Sequence, residues 1–84
     1  MIQILYFARL REQLNSSVER LELDPGVDTL DALVAQLGSR GGVWREAFGG
    51  DQSPMMAVNQ EVAGRDARIT DGDEIAFFPP VTGG

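Results

Sequence analysis

The chain alternates between short apolar runs and turn-forming residues, and the first run lies at the N-terminus. Residues 2–7 mix β-branched and aromatic side chains almost without interruption, which is typical of a central strand covered on both faces or nearly so. A second strand is predicted over 18–23, after the turn residues 15–17, and the two strands can pair as a hairpin-like unit. The segment between them, 8–14, is too short to be a stable helix by itself.

One amphipathic helix is predicted next. Pro25 and Gly26 end the second strand, because proline lacks the ladder donor and glycine accepts turn dihedrals, and Asp28 then offers a helix N-cap. Four apolar residues follow at i, i+3, i+4 and i+7, so that they share one helical face up to the region of Gly38. They are Leu30, Leu33, Val34 and Leu37. A helix of this length needs a sheet to lie on.

The segment after this helix contains glycine pairs and aromatic residues. Gly41-Gly42 interrupts the chain, and residues 43–48 predict a short helical turn or lid with a packing role, ended by Gly49-Gly50.

Three more strands are predicted in the second half. Strands over 55–58 and 61–63 are joined by a tight turn, and the last strand, 74–78, follows turn residues 71–73. The order strand, strand, helix, strands, without a repeat or a linker, indicates one α+β domain. A helix between two hairpin-like halves permits the first and last strands to be neighbours, although spacing alone does not establish that pairing.

Composition excludes several classes of function. The chain has no cysteine, which excludes a disulfide framework, a thiolate metal site and a thiol nucleophile. It has no histidine, the commonest general base and metal ligand. Thirteen acidic and seven basic residues give a formal charge of −6, which argues against nucleic-acid and membrane partners and favours basic protein surfaces. No run approaches the roughly 20 apolar residues of a membrane span, and we expect a soluble protein of the reducing cytoplasm.

Three carboxylates crowd the turn Asp71-Gly72-Asp73-Glu74. One short acidic turn lacks the spread of ligands that a calcium loop supplies. We predict a turn with solvated charge there and no metal site.

The chain changes character after Phe78. Pro79-Pro80 cannot continue a central strand, and Gly83-Gly84 ends the sequence without side chains. Six extended residues span about 20 Å, enough to enter a pocket on another protein, and the prolines reduce the entropy lost on docking. We therefore predict a folded domain over 1–78 and a flexible tail over 79–84. A terminal Gly-Gly alone is equally compatible with an idle chain end.

The sequence resembles a known family, the small subunit of molybdopterin synthase, over nearly its whole length. The matching motifs are Tyr6-Phe7-Ala8 with Arg11-Glu12, Ala57-Val58-Asn59-Gln60, and the highly specific ending from Thr70 through Phe77-Phe78-Pro79-Pro80-Val81-Thr82-Gly83-Gly84. The family consists of ubiquitin-like sulfur carriers. The resemblance implies a β-grasp fold, with a mixed sheet of four to five strands packed on one main helix.

The resemblance also implies a carrier cycle at the C-terminus. A ubiquitin-activating-type enzyme would use ATP to adenylate the Gly84 carboxylate, and sulfur transfer would convert it to a thiocarboxylate. The carrier would then donate sulfur to a pterin precursor, forming the dithiolene of molybdopterin in molybdenum cofactor biosynthesis. The chain itself would be a non-catalytic subunit of a heterotetrameric synthase, with no bound cofactor and with the active site on the large subunit.

The resemblance assigns roles to particular residues. The sulfur-bearing end would be Gly83 and Gly84, and the apolar residues that face the large subunit would be Phe7, Val62 and Phe78. The segment inserted into that subunit would consist of Pro79, Pro80, Val81, Thr82 and the two glycines. Core packing is the alternative for the two phenylalanines. Residues 38–53, which include Trp44, match no motif of the family, and their role stays open.

Three other functions compete with this one. The same fold and tail suit a sulfur carrier for thiamine synthesis or tRNA thiolation, and they suit a ubiquitin-like protein modifier joined to lysines. The double-Phe, double-Pro segment argues against these. The chain could also be a plain interaction module whose tail is idle.

Overall fold

The computed structural model describes residues 1–49 and 54–79. In chain order the elements are β1 (Ile2–Tyr6), α1 (Ala8–Leu14), β2 (Val18–Leu21), α2 (Leu30–Gly38), α3 (Val43–Gly49), β3 (Met55–Val58), β4 (Glu61–Ala63) and β5 (Glu74–Phe78). The strands form one five-stranded sheet in the order β2-β1-β5-β3-β4. The predicted α+β class and mixed β-grasp sheet are confirmed.

The two central strands are the first and the last in the chain. β1 and β5 run parallel, with Gln3 opposite Glu74 and Tyr6 opposite Phe77, while the other neighbouring pairs are antiparallel. The first and last strands are therefore hydrogen-bonded neighbours, a pairing that the sequence permitted but did not establish. It places the end of β5 in the middle of the sheet rather than at an edge.

The helices cover one face of the sheet and enclose the core with it. In β1, Ile2, Ile4 and Tyr6 are buried on this face, whereas Gln3 and Leu5 are only half-buried on the other. The sequence predicted cover on both faces or nearly so, and the structure shows full cover on the helix side and partial cover on the other. The four apolar residues predicted to share a face of α2 are all buried, as expected.

Residues 8–14 form a helix, although the segment is too short to be stable by itself. A seven-residue helix is unstable alone, but α1 buries Leu10 and Leu14 in the core. Asn15 ends it in the left-handed conformation, with φ of 53°, which asparagine tolerates better than most residues. Tertiary packing therefore supplies the stability that the isolated segment lacks.

The N-cap of α2 is Thr29 rather than the predicted Asp28. The Thr29 hydroxyl accepts a hydrogen bond from the Ala32 N–H at 3.2 Å. The Asp28 carboxylate instead pairs with Arg68 at 3.2 Å. β2 also ends earlier than predicted, at Leu21, although Leu23 still packs against the core.

The predicted packing role of the segment after α2 is confirmed for the part that the structure describes. Trp44 and Phe48 of α3 stack at a centroid distance of 6.1 Å, and Trp44 meets Tyr6 edge-on at 5.6 Å. Positive φ angles at Gly41 and Gly42 allow the chain to turn into α3. Gly50 and the rest of the predicted break lie outside the described residues. Within the described ranges, no helix is long and apolar enough to cross a membrane.

Candidate functional site

The strand register defines a continuous apolar row on the face of the sheet that the helices leave open. Side chains alternate between the two faces of a sheet, so the residues opposite Leu5 share its face. Val18 of β2 and Ala76 of β5 both lie opposite Leu5, Ala57 lies opposite Ala76, and Val62 lies opposite Ala57. These five residues, here called the apolar row, cross all five strands. Val62 is 71% exposed at its end.

A second apolar group lies next to this row, where β5 ends. Phe78 pairs with Met55 of β3, and the Phe7 N–H donates to the Phe77 carbonyl at 3.1 Å, which places Phe7 beside Phe78. Phe7 is 46% exposed, Met55 is also exposed, and Phe78 and Pro79 are half-buried. We call Phe7, Met55, Phe78 and Pro79 the tail-root cluster, because the segment predicted to form the tail, 79–84, follows β5 in the sequence.

The opposite end of the same face is polar. Arg20 of β2 lies opposite Gln3 of β1, and Gln3 lies opposite Glu74 of β5. The open face therefore changes from polar to apolar along the direction of β5. The apolar end is the end at which β5 finishes with Phe78.

The acidic turn before β5 is fixed by hydrogen bonds. The Asp73 carboxylate accepts from the Thr70 N–H at 2.9 Å and from the Asn59 side-chain amide at 3.1 Å. The Asn59 side-chain oxygen in turn accepts from the Glu74 N–H at 3.0 Å. Among the described residues, no group of three acidic side chains could hold a metal ion. The turn tethers the hairpin of β3 and β4 to the start of β5.

The predicted site residues that the structure describes lie on the open face or, for Pro79, directly after the end of β5. Val62 ends the apolar row, and Phe7, Phe78 and Pro79 belong to the tail-root cluster. The alternative role in the core belongs instead to Phe77, which is 0% exposed. Five further predicted residues lie outside the described ranges: Pro80, Val81, Thr82, Gly83 and Gly84.

Sequence reasoning did not single out Leu5, Val18 or Met55 as members of this face. Alternation could have identified Leu5 and Met55, since each lies an even number of residues from Phe7 or Ala57 within its own strand. Val18 depends on the pairing register between β1 and β2, which the sequence does not state.

A buried tyrosine and an ion pair lie on the helix-covered side. The Tyr6 hydroxyl donates to Glu19 at 3.1 Å, and Arg40 donates to both Glu19 oxygens at 3.0 and 2.5 Å. The Arg40 guanidinium lies 4.4 Å from the centre of the Trp44 ring.

The charges of this group follow from its contacts. Hydrogen bonds from Arg40 are the main cause that lowers the pKa of Glu19, and the hydrogen bond to Glu19 raises the pKa of Arg40. Burial, followed by the charge of Glu19, raises the pKa of Tyr6. Tyr6 therefore stays neutral at physiological pH and holds β1 to β2, as a structural group rather than a proton donor in a reaction.

Comparison with known proteins decides the family. The model of the ThiS family matches residues 4–84. The chain belongs to the ThiS family. It is 39% identical over 84 residues to the molybdopterin synthase sulfur carrier subunit of Escherichia coli strain K12, with 100% of both chains covered. The family resemblance noted in the sequence is thereby confirmed.

Other relatives carry a different name. The small archaeal modifier protein 1 of Haloferax volcanii is 34% identical over 82 residues, covering 93% of this chain and 94% of the relative. Its crystal structure matches with a TM-score of 0.76 at 29% identity, covering 99% of this chain and 98% of that one. The ubiquitin-like β-grasp fold is confirmed by this match.

A solved complex contains the same fold. In the protein–protein complex of subunits 1 and 2 of the molybdopterin-converting factor from Helicobacter pylori, one chain matches with a TM-score of 0.65 at 21% identity. The match covers 99% of this chain and 97% of that one. This likeness shows the shared fold.

Proposed function

We propose that this chain is the sulfur carrier subunit of molybdopterin synthase. One structural observation carries the proposal: β5 lies in the centre of the sheet and ends within the apolar tail-root cluster. A protein that docks on the open face therefore meets the root of the tail at the same place. The full-length relative from Escherichia coli, named as that subunit, supports the assignment.

The chemistry of the carrier would take place at the Gly84 carboxylate. A carboxylate oxygen attacks the α-phosphate of ATP, pyrophosphate leaves, and an acyl-adenylate forms on an adenylating enzyme. Hydrosulfide delivered by a sulfur donor then attacks the acyl carbon, the carbon–sulfur bond forms, the carbon–oxygen bond to AMP breaks, and the terminal group becomes a thiocarboxylate. The chain has neither cysteine nor histidine, so the sulfur donor supplies the nucleophile and the activating enzyme supplies the bases. No cofactor is bound by the carrier in this cycle.

The open face would be the docking surface for the large synthase subunit. Apolar side chains gathered at one end of an exposed sheet are typical of protein interfaces, and Phe7, Val62 and Phe78 provide the exposed apolar area here. Residues 79–84 would then enter the partner, with Pro79, Pro80, Val81 and Thr82 lining the inserted segment. The Helicobacter pylori complex is a two-subunit assembly that contains this fold, and it supports such an arrangement. We propose that the assembly forms in the cytoplasm.

Genetic complementation tests the proposal. In a bacterial strain that lacks the small synthase subunit, the wild-type chain should restore molybdoenzyme activity, and a chain without Gly84 should not. A matched control is Val43→Ser, which alters an exposed valine of α3 in the helix layer. Failure of the wild-type chain to restore activity, or full activity without Gly84, would overturn the proposal.

A protein modifier is the second candidate, favoured by the relative from Haloferax volcanii. In that case the activated Gly84 carbonyl would form an amide with a lysine of another protein. Proteomic mass spectrometry of cells expressing the tagged chain should find Gly84 linked to lysines if this reading is right. The thiamine and tRNA pathways are tested by the same complementation design in strains that lack their own carriers.

A further inference from the structure

The sequence contains no lysine. All seven basic residues are arginine, whose guanidinium stays protonated in proteins and is a poor nucleophile. Because cysteine and histidine are also absent, the α-amino group of Met1 is the only amine in this sequence able to attack an activated acyl group. Arginine provides the positive charges of the ion pairs that the structure shows. Arg40 pairs with Glu19, Arg65 with Asp31, and Arg68 with Asp28.

The α-amino group of Met1 lies far from the root of the tail. It forms an ion pair with Asp71, and the Met1 carbonyl accepts a hydrogen bond from the Gly72 N–H at 3.1 Å. Met1 is thus held against the turn that precedes β5. Because β1 and β5 are parallel, Phe78 at the end of β5 lies at the other end of the pair, about 16 Å away for five-residue strands. A six-residue tail would have to double back over most of its reach of about 20 Å.

The one tyrosine hydroxyl, which is the most acidic hydroxyl of the sequence, is not available either. Tyr6 is buried and donates its hydrogen bond to Glu19, and burial raises its pKa. The Thr29 hydroxyl accepts the Ala32 N–H at the start of α2. Hydroxyls without an adjacent base are weak nucleophiles, and this chain has no histidine to serve as one.

From these observations we infer that the chain is a one-way acyl donor: its activated C-terminus can be transferred to other molecules but meets no side-chain amine on another carrier, whose one amine, the Met1 α-amino group, is ion-paired with Asp71. The inference rests on the proposed activation of Gly84. When a lysine amine attacks an acyl-adenylate, the nitrogen–carbon bond forms, the carbon–oxygen bond to AMP breaks, and the amine loses a proton to water. Without lysine this side reaction has no side-chain acceptor among carriers gathered at the activating enzyme. In the modifier reading, copies of the chain would not be joined to one another through side chains, so no branched chain of copies would form.

Charge-preserving substitutions test the inference. Arg9→Lys places an amine on α1, close to the tail-root cluster, and Arg68→Lys places one beside Asp28 at a distance from it. Both arginines are exposed, so the fold should be kept. Each protein is incubated with the adenylating enzyme and Mg-ATP in the absence of a sulfur donor. The products are then analysed by denaturing electrophoresis and intact mass. The wild-type chain should stay at the monomer mass, whereas Arg9→Lys should give a species at twice that mass less one water, linked between Lys and Gly84.

A parallel reaction with hydroxylamine shows whether the acyl group is activated. Wild-type chain should be converted to the C-terminal hydroxamate in full. Covalent dimers of the wild type as abundant as those of Arg9→Lys would overturn the inference. It would also be overturned if hydroxamate forms and neither lysine variant dimerises, because something other than the missing amine would then prevent self-transfer. Absence of the hydroxamate would refute the proposed function, and this inference with it.

Discussion

Phe77 and Phe78 are neighbours in β5 but face opposite sides of the sheet. Phe77 is fully buried against Tyr6 and Phe48, at centroid distances of 6.1 and 5.0 Å. Phe78 lies on the open face opposite Met55. Two identical side chains therefore have separate positions, since one anchors β5 in the core and the other belongs to the open face at the end of β5.

The two phenylalanines should respond differently to truncation. Phe77→Ala should lower the free energy of unfolding by about 3–5 kcal/mol, the usual cost of removing a buried aromatic ring. Phe78→Ala should lower the free energy of unfolding by less than Phe77→Ala does, because the Phe78 ring is only half-buried. It should weaken binding of the large subunit by more than Phe77→Ala does. Urea unfolding measures the first effect and calorimetric titration of the large subunit the second. Equal losses of stability in the two variants would contradict this difference between the two positions.

The exposed end of the apolar row should contribute to binding and not to folding. Val62→Asp places a charge on the face that we propose to be buried by the partner, and it should weaken binding of the large subunit at least about tenfold, as at central interface positions. Stability should change by no more than about 0.5 kcal/mol, since Val62 is a surface residue.

Val43→Asp provides the matched control for this experiment, because it changes an exposed valine in the helix layer. It should leave the affinity for the large subunit unchanged. An affinity loss as large in Val43→Asp as in Val62→Asp would show that the open face is not the docking surface.

The start of α2 distinguishes the cap that the structure shows from the one that the sequence suggested. Thr29→Ala removes the hydroxyl that accepts the Ala32 N–H and should cost about 1 kcal/mol. Asp28→Ala removes only an exposed ion pair with Arg68 and should cost less, within about 0–1 kcal/mol. Thermal unfolding of the two variants decides between them, and a larger loss for Asp28→Ala would restore the original assignment.

The ion pair between Glu19 and Arg40 should make stability depend on acid pH. Hydrogen bonds from Arg40 hold the pKa of Glu19 below its ordinary value of 4.5 in the folded chain. A carboxyl with a lowered folded pKa stabilises the fold above its unfolded pKa, and this contribution is lost as pH falls through the folded pKa. The free energy of unfolding should therefore decrease below about pH 4.5.

Glu19→Gln identifies the share of this decrease that belongs to Glu19. Urea unfolding over the acid range should give a shallower pH dependence for the variant than for the wild type, because the other carboxyl groups are unchanged. Parallel curves for the two proteins would mean that Glu19 does not contribute.

Much of the fold follows from patterns within short segments. The i, i+3, i+4, i+7 spacing predicted α2, and the apolar runs between turn residues predicted all five strands. The segment 8–14 could not be assigned in this way, because its helix depends on burying Leu10 and Leu14 against elements that are distant in the chain. Asp28 and Thr29 are both good caps by residue type, and only the geometry of the turn decides between them.

Part of the candidate site could be predicted from the sequence, namely the tail and three residues of the open face, whereas the apolar row across the five strands could not. The ending of the sequence indicated the tail, and the family resemblance indicated Phe7, Val62 and Phe78. The apolar row depends on the register in which β1 pairs with β2 and with β5. A shift of one residue between β1 and β2 would turn Val18 to the other face of the sheet. The pairing of Glu19 with Arg40 joins residues 21 positions apart, and no local pattern predicts it.

Intact-mass spectrometry of the terminal group tests the central claim most directly. The purified chain is incubated with its adenylating enzyme, Mg-ATP and a sulfur donor, and then with the large subunit and the pterin precursor. The account predicts a mass increase equal to exchange of one oxygen for sulfur, located at Gly84, which is reversed when the large subunit and precursor are added. An unchanged mass despite an active adenylating enzyme, or a thiocarboxylate that persists in the presence of the large subunit and precursor, would contradict it.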